Sequence, residues 1–207
     1  MELVAIIDFE TTGLSPDHGD RATEIAAVLL EDGEVVDRYQ SLMNAGVHIP
    51  TFIAELTGIT DAMVRKAPPA GDVMRDVAEF VGDTPLVAHN ASFDRRFWDA
   101  ELKRIRRSRR QEFACSMLVA RRLFPQVRSH KLAALVEFAN LPVTGRYHRA
   151  LADAEMAANL LVHMEDELRR RYEVRDVSHE LLREIQKVQK DQLKRCLERH
   201  QRTSAVG

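Results

Sequence analysis

Asp8 and Glu10 stand one residue apart at the end of the apolar run Leu3-Val4-Ala5-Ile6-Ile7. In an extended chain, side chains at i and i+2 project to the same side, so both carboxylates leave the end of a buried strand together. Two acids that close repel each other, and burial raises the cost until a cation or a shared proton compensates. A metal site is the simplest compensation, and a strand that merely ends in solvent is the plain alternative. Thr11, Thr12 and Gly13 follow directly. Hydroxyls, backbone N–H groups and a permissive glycine beside acids suit a phosphate-bearing ligand.

Two further clusters carry titratable groups. In His89-Asn90-Ala91-Ser92-Phe93-Asp94, the short apolar stretch Leu86-Val87-Ala88 runs into a helix. Asp94 falls in its first turn, turned toward protein; the plain alternative is an acid that favours the positive helix N-terminus, with Asn90 or Ser92 as its cap. Farther on, Asp153 shares a helical stripe with Ala157, Leu160 and Met164, which is a core-facing stripe, so this acid needs a partner. His148 lies five residues earlier, an offset that places it in the loop before the helix. An imidazole in such a place can take a proton from water; the plain alternative is an exposed loop histidine.

The elements that must position these residues are legible in part. The run 3–7 reads as a strand buried on both faces. Residues 23–31 and 35–42 flank Asp32-Gly33, a hairpin signal. Two short helices are predicted around Leu56-Thr57-Gly58-Ile59, and Pro68-Pro69 breaks the chain before a helix over 71–81. A long helix starts at Ala91 and ends in the basic run 103–110, six of whose eight residues are Lys or Arg. Residues 113–115 read as a last strand, followed by helices over 118–123, 131–140 and 150–171. Past about residue 165 the chain turns charged, and Leu181, Ile185, Val188 and Cys196 on one face, with Leu182, Leu193 and Leu197 beside them, predict an amphipathic helix. That helix either packs back on the domain or pairs with another chain.

With 207 residues, 45% of them hydrophobic, the chain can build one full core and an appendage. No run approaches the ~18 apolar residues of a membrane span, and no secretion signal opens the sequence. Two distant cysteines, Cys115 and Cys196, suggest neither a disulfide framework nor a zinc site, and a reducing cytoplasm fits. The net charge of -2 does not advertise a nucleic-acid binder, but the run 103–110 could form a basic lip; a solvated helix end is the competing reading.

Taken together, Asp8-Phe9-Glu10-Thr11-Thr12-Gly13-Leu14, Leu56-Thr57-Gly58-Ile59-Thr60, His89-Asn90-Ala91-Ser92-Phe93-Asp94 and His148-Arg149-Ala150-Leu151-Ala152-Asp153 resemble, in order and spacing, the DEDDh 3′-to-5′ exonucleases, over roughly residues 3–165. The resemblance implies an α/β fold with an RNase H-like mixed five-stranded sheet flanked by helices, in a domain over 1–170, with a C-terminal helical extension over 171–207. It implies that Asp8, Glu10, Asp94 and Asp153 hold two divalent ions, Mg²⁺ or Mn²⁺, and that His148 is the general base activating the attacking water. Thr11, Thr12 and Leu14 would seat and wedge the terminal nucleotide, Phe93 would pack near its neighbour, and Leu56, Thr57, His89 and Asn90 would complete the substrate-binding set. Nucleoside 5′-monophosphates would leave the 3′ end of single-stranded or frayed DNA, with RNA as the alternative substrate and a polymerase as a candidate partner. Some relatives carry a histidine where Thr57 stands, and Cys115-Ser116-Met117 occupies a segment that often begins with an acid.

Two other classes fit less well. A phosphatase with an aspartyl nucleophile also begins with a strand and two spaced acids, and Gly71-Asp72-Val73-Met74-Arg75-Asp76 looks like that class's later motif. It follows Pro68-Pro69 instead of an apolar strand, and Glu10 has the longer arm. A non-catalytic binding module that kept the fold would be expected to have lost at least one acid, and here four acids and the histidine remain.

Overall fold

The computed structural model describes residues 2–204. In chain order the elements are β1 (Val4–Thr11), β2 (Ala22–Glu31), β3 (Glu34–Leu42), α1 (Thr51–Thr57), α2 (Asp61–Val64), α3 (Ala70–Val81), β4 (Leu86–Ala88), α4 (Ala91–Arg104), β5 (Phe113–Cys115), α5 (Ser116–Leu123), α6 (Leu132–Phe138), α7 (Ala150–Tyr172), α8 (His179–Ile185) and α9 (Leu193–Ser204). The strands form one sheet in the order β3-β2-β1-β4-β5. β1, β2 and β3 pair antiparallel, whereas β1, β4 and β5 pair parallel, which is the mixed five-stranded sheet expected. Asp32 and Gly33 turn the β2–β3 hairpin, both at positive φ (49° and 84°), as a two-residue hairpin loop requires.

Helices cover both faces. On one, Val4 and Ile6 of β1 pack with α5, α7, α8 and α9; on the other, Ala5, Ile7 and Phe9 pack with α3 and α4. Such burial on both sides explains why β1 is an unbroken apolar run instead of an alternating one. Among the described residues, no helix is long and apolar enough to cross a membrane.

The C-terminal region departs from the single amphipathic helix expected there. α8 is capped by Ser178, whose side chain accepts from the Leu181 N–H, and the chain breaks at an extended Gln189 before α9. The break lets Leu181, Leu182 and Ile185 from one helix, and Leu193, Cys196 and Leu197 from the next, enter the same core cluster as β1, α5 and α7. A straight helix could not turn all six side chains toward one convex domain. Each fully buried aliphatic side chain contributes roughly 1.5–3 kcal/mol, so the stripe is consumed within the chain and is not left as an apolar face for a partner. α8 also covers the sheet edge: the Gln186 side chain accepts from the Cys115 N–H of β5 at 2.6 Å, and His179 Nε2 donates to the Leu86 carbonyl of β4 at 2.8 Å.

Candidate active site

The alternation that sends Val4 and Ile6 toward α7 continues into Asp8 and Glu10, which therefore face the start of that helix. Asp153 sits in its first turn. Asp94 comes from the other face by a different route. β4 pairs with β1 only at Ala5–Leu86 and Ile6–Val87, and after Ala88 the chain swings into α4 through Asn90 at φ 72°. Asparagine tolerates that left-handed conformation better than most residues. Phe9 is thus left without a strand neighbour on this side, and its N–H donates to Asp94 Oδ1 at 3.2 Å. One acid is fixed by the backbone that carries two others.

His148 is exposed and lies just before α7 at φ 61°. Its backbone N–H donates to Asp153 Oδ2 at 2.9 Å. Asp153 Oδ1 is buried without a hydrogen-bond partner. Glu10, His148 and Asp153 each offer one ligand atom, and these atoms lie within 4.8 Å of one another, little more than twice a typical Mg–O or Mg–N bond. Asp8 and Asp94 stand outside this trio.

The acids are electrostatically unhappy together. Burial, reinforced by Asp94, Glu10 and Asp153, raises the Asp8 pKa well above the usual range. Burial and then Asp153 and Glu24 push Glu10 up to about 8. Burial takes Asp94 to about 7 against two backbone hydrogen bonds, and burial also raises Asp153. Four carboxylates that resist ionisation, with an orphaned buried oxygen among them, are a donor set completed by cations. The residues present fit divalent ions with a preference for hard oxygen ligands.

Two acids that position this set were missed from sequence. Glu24 lies opposite Glu10 on β2 and is fully buried. It accepts from Arg149 Nη2 at 2.8 Å, from the Ala150 N–H at 3.1 Å and from Gln40 Nε2 at 2.7 Å. Burial raises its pKa, but these bonds, Arg149's foremost, outweigh it and hold the carboxyl below its ordinary value. Glu24 therefore anchors the start of α7, and with it His148 and Asp153. The signal was available: a lone acid inside the apolar strand Ala22–Glu31 demands a cation. Likewise Glu101 of α4 receives a bidentate pair from Arg21, at 2.7 and 2.9 Å, tying α4 to the start of β2. Glu24→Gln is expected to lower stability by about 2 kcal/mol, the worth of charge-assisted hydrogen bonds, read as a fall in Tm of roughly 4–8 °C. An unchanged Tm would show that Arg149 does not depend on that carboxylate.

The expected nucleotide-contacting residues divide into two groups. Leu14 is 78% exposed and Leu56 46% exposed, Asn90 is exposed, and Phe93 is half-buried against Phe97. These present surface. Thr11 and Thr12 are buried, with the Thr11 hydroxyl donating to the Gly13 carbonyl and the Thr12 hydroxyl accepting from the Arg21 N–H. They build the loop that lifts Leu14, helped by Asp20, which accepts from the Ser15 N–H and packs where a Cβ on residue 13 would stand. Thr57 is 1% exposed, its hydroxyl donating to the Ile53 carbonyl. His89 is held from both sides: Nε2 meets the His130 carbonyl and Nδ1 the Ser116 hydroxyl, each at 2.9 Å. Burial depresses its pKa to about 4, so it is a neutral strut. Half of the basic run is paired: Arg104 with Glu101, Arg107 with Glu79 and Arg109 with Asp99.

Residues 5–161 match the RNase_T family model, described as an exonuclease. Among curated proteins, the DNA polymerase III PolC-type of Bacillus subtilis (strain 168) is 38% identical over 165 residues, covering 79% of this chain and 11% of the relative. That of Oceanobacillus iheyensis is 40% identical over 157 residues, covering 75% of this chain and 11% of the relative. The chain thus spans about a tenth of these relatives' length. Among solved structures, Exonuclease X in complex with 5′ overhanging duplex DNA is 33% identical, with a TM-score of 0.66 over 79% of this chain and 91% of the other. The nuclease domain of 3′hExo, a DEDDh family member bound to rAMP, shares the fold at 22% identity, with a TM-score of 0.70 over 80% of this chain and 92% of the other. With the family match spanning the strands and helices that carry Asp8, Glu10, Asp94, His148 and Asp153, the chain belongs to the RNase_T exonuclease family.

Proposed function

We propose that this chain removes nucleoside 5′-monophosphates from the 3′ end of single-stranded DNA with two divalent ions, Mg²⁺ or Mn²⁺, held by Asp8, Glu10, Asp94 and Asp153. The observation that carries this is the convergence of four ionisation-resistant acids, from β1, α4 and α7, with an exposed histidine beside two of them, Glu10 and Asp153. Divalent ions bound there supply positive charge that favours both the attacking oxygen and the leaving 3′-oxygen. His148, on the solvent side, accepts the proton of the attacking water; its exposure lets it pass that proton on. Asp153 holds the His148 backbone through Oδ2, so base and acid are set by one contact. Leu14, lifted on its loop, wedges against the terminal base, and Phe93 and Leu56 offer apolar surface to the nucleotides around it. A paired end would have to unstack before reaching these groups, which favours single strands and frayed ends.

DNA is preferred over RNA because the relatives above 30% identity are named for DNA polymerase III or were solved with DNA, whereas the neighbour bound to rAMP is 22% identical. The polymerase relatives also support a replicative setting, with this chain working beside a polymerase. Incubating the protein with 5′-labelled single-stranded DNA, RNA and mismatched duplexes, with Mg²⁺, Mn²⁺ or EDTA, is the test. A ladder shortened from the 3′ end, strongest on DNA and abolished by EDTA, is the expected result. Loss of the 5′ label, or no cleavage of any polymer, would overturn the reading.

A further inference from the structure

Of the six cations that the sequence puts in plain view, in the run 103–110, Arg104, Arg107 and Arg109 are paired with acids. Three cations outside that run are not. Arg95 of α4, Arg121 of α5 and Lys187 just beyond α8 line one cavity of about 500 Å³, and no carboxylate lines it with them. Among the described residues none of the three has an ion-pair partner; Arg121 makes only a long contact to Met117 Sδ. Ala91 and Ser92, at the start of α4, line the same cavity, and Asn90 gives that helix no side-chain cap. Uncompensated guanidinium and ammonium groups beside an uncapped helix of fourteen residues make a site for anions. Phe113, Met117 and Leu118 supply an apolar wall.

The place of the cavity decides which anion. It opens at the carboxyl ends of β4 and β5, the same edge of the sheet from which Asp8 and Glu10 project. The lateral offset from β1 to β5 is two strand spacings, about 10 Å. The first turn of α4 serves both places, sending Ser92 and Arg95 to the cavity while Asp94 bonds to Phe9 of β1. A free phosphate would need neither the apolar wall nor this adjacency. We propose that the cavity binds backbone phosphates of the substrate strand, a few nucleotides 5′ of the bond that is cut, with Arg121 and Lys187 as its principal cations. This rests on the nuclease reading above. It gives the C-terminal helices a role in substrate binding: Gln186 is fixed to the Cys115 N–H at 2.6 Å, and Lys187 is the next residue.

Arg121 and Lys187 are both exposed, so the double charge reversal R121E/K187E leaves the core intact, and R121K/K187R serves as the charge-conserving control. Binding of a 5′-labelled single-stranded 12-mer, as DNA and as RNA of the same sequence, is followed by fluorescence anisotropy in EDTA over a range of salt. The reversal is expected to weaken binding about 10-fold or more at low salt. The slope of log affinity against log salt should shrink by about 1.4, the share of two phosphate contacts on a single strand. Equal losses on DNA and RNA are expected, because the phosphodiester is what they share. Hydrolysis of the p-nitrophenyl ester of thymidine 5′-monophosphate, which has no upstream phosphates, should be unchanged in the variant. Unchanged oligonucleotide affinity and slope would overturn the proposal, as would a loss confined to one sugar type or an equal loss on the small ester. If the unmodified protein cleaves neither substrate yet its oligonucleotide binding falls as described, the nuclease reading fails while the phosphate site stands.

Discussion

Replacing Glu10 with glutamine is expected to reduce kcat on the order of 10³-fold while making the metal-free protein more stable above pH 8. A ligand lost from a metal site forfeits several kcal/mol of transition-state charge stabilisation, and about 4 kcal/mol is a factor of 10³ in rate. The stability gain follows from the same crowding. Glu10 titrates at about 8 in the folded protein against an ordinary value of 4.5, and Asp94 at about 7 against 3.8. Between those limits the folded state binds more protons than the unfolded one, so stability is highest at low pH and falls as pH rises through the folded values. His89, depressed from 6.5 to about 4, acts in the opposite sense, but only below about pH 6.5. From there to about pH 8.5 the metal-free protein should lose on the order of 2 kcal/mol, or roughly 4–8 °C in Tm. Glu10→Gln should flatten that decline. Excess Mg²⁺ should raise Tm most at the alkaline end, where the ion need not displace protons. A Tm indifferent both to pH in this window and to Mg²⁺ would show that the acids are not confined together as the structure has them.

Substituting His148 is expected to lower kcat by about 10² to 10⁴, the usual contribution of a positioned general base. Asparagine is the better replacement, because residue 148 sits at φ 61° and asparagine tolerates that conformation where alanine does not. The side chain is exposed, so stability should move by no more than about 0.5 kcal/mol. The ring also lies within the trio with Glu10 and Asp153, which makes a second measurement useful. Mn²⁺ affinity by calorimetry should be unchanged if the ring moves protons, and should fall if it binds metal. A loss of less than about threefold in kcat would remove His148 from the chemistry.

The sequence exposed three of the proposed metal-holding acids because each breaks a local pattern: acids end an apolar strand at Asp8 and Glu10, and interrupt a core stripe at Asp153. The hairpin at Asp32-Gly33 and the mixed sheet were legible for similar reasons, through turn chemistry and the resemblance of four spaced motifs. Less legible was anything that depended on a distant partner. Glu24 looked like part of a strand until Arg149 arrived, 125 residues later. The hydroxyl of Thr57 and the ring of His89 looked available to a nucleotide, yet the carbonyls of Ile53 and His130 hold them. The C-terminal region read as one helix because periodicity registers which side chains are apolar, not how far a straight rod can follow a curved core; the break at Gln189 is a tertiary decision.

β4 is three residues long and abandons β1 after Ile6. An abandoned strand margin is ordinarily a hazard, since its bare N–H and C=O groups invite a strand from another molecule to pair there and start aggregation. Here Asp94 caps the Phe9 N–H at that margin, and a carboxylate standing in the pairing line repels an incoming backbone carbonyl. The acid proposed to hold metal also closes the stretch of β1 that β4 leaves unpaired. A neutral residue at position 94 that could not accept this bond would leave the protein both inactive and prone to stick to itself.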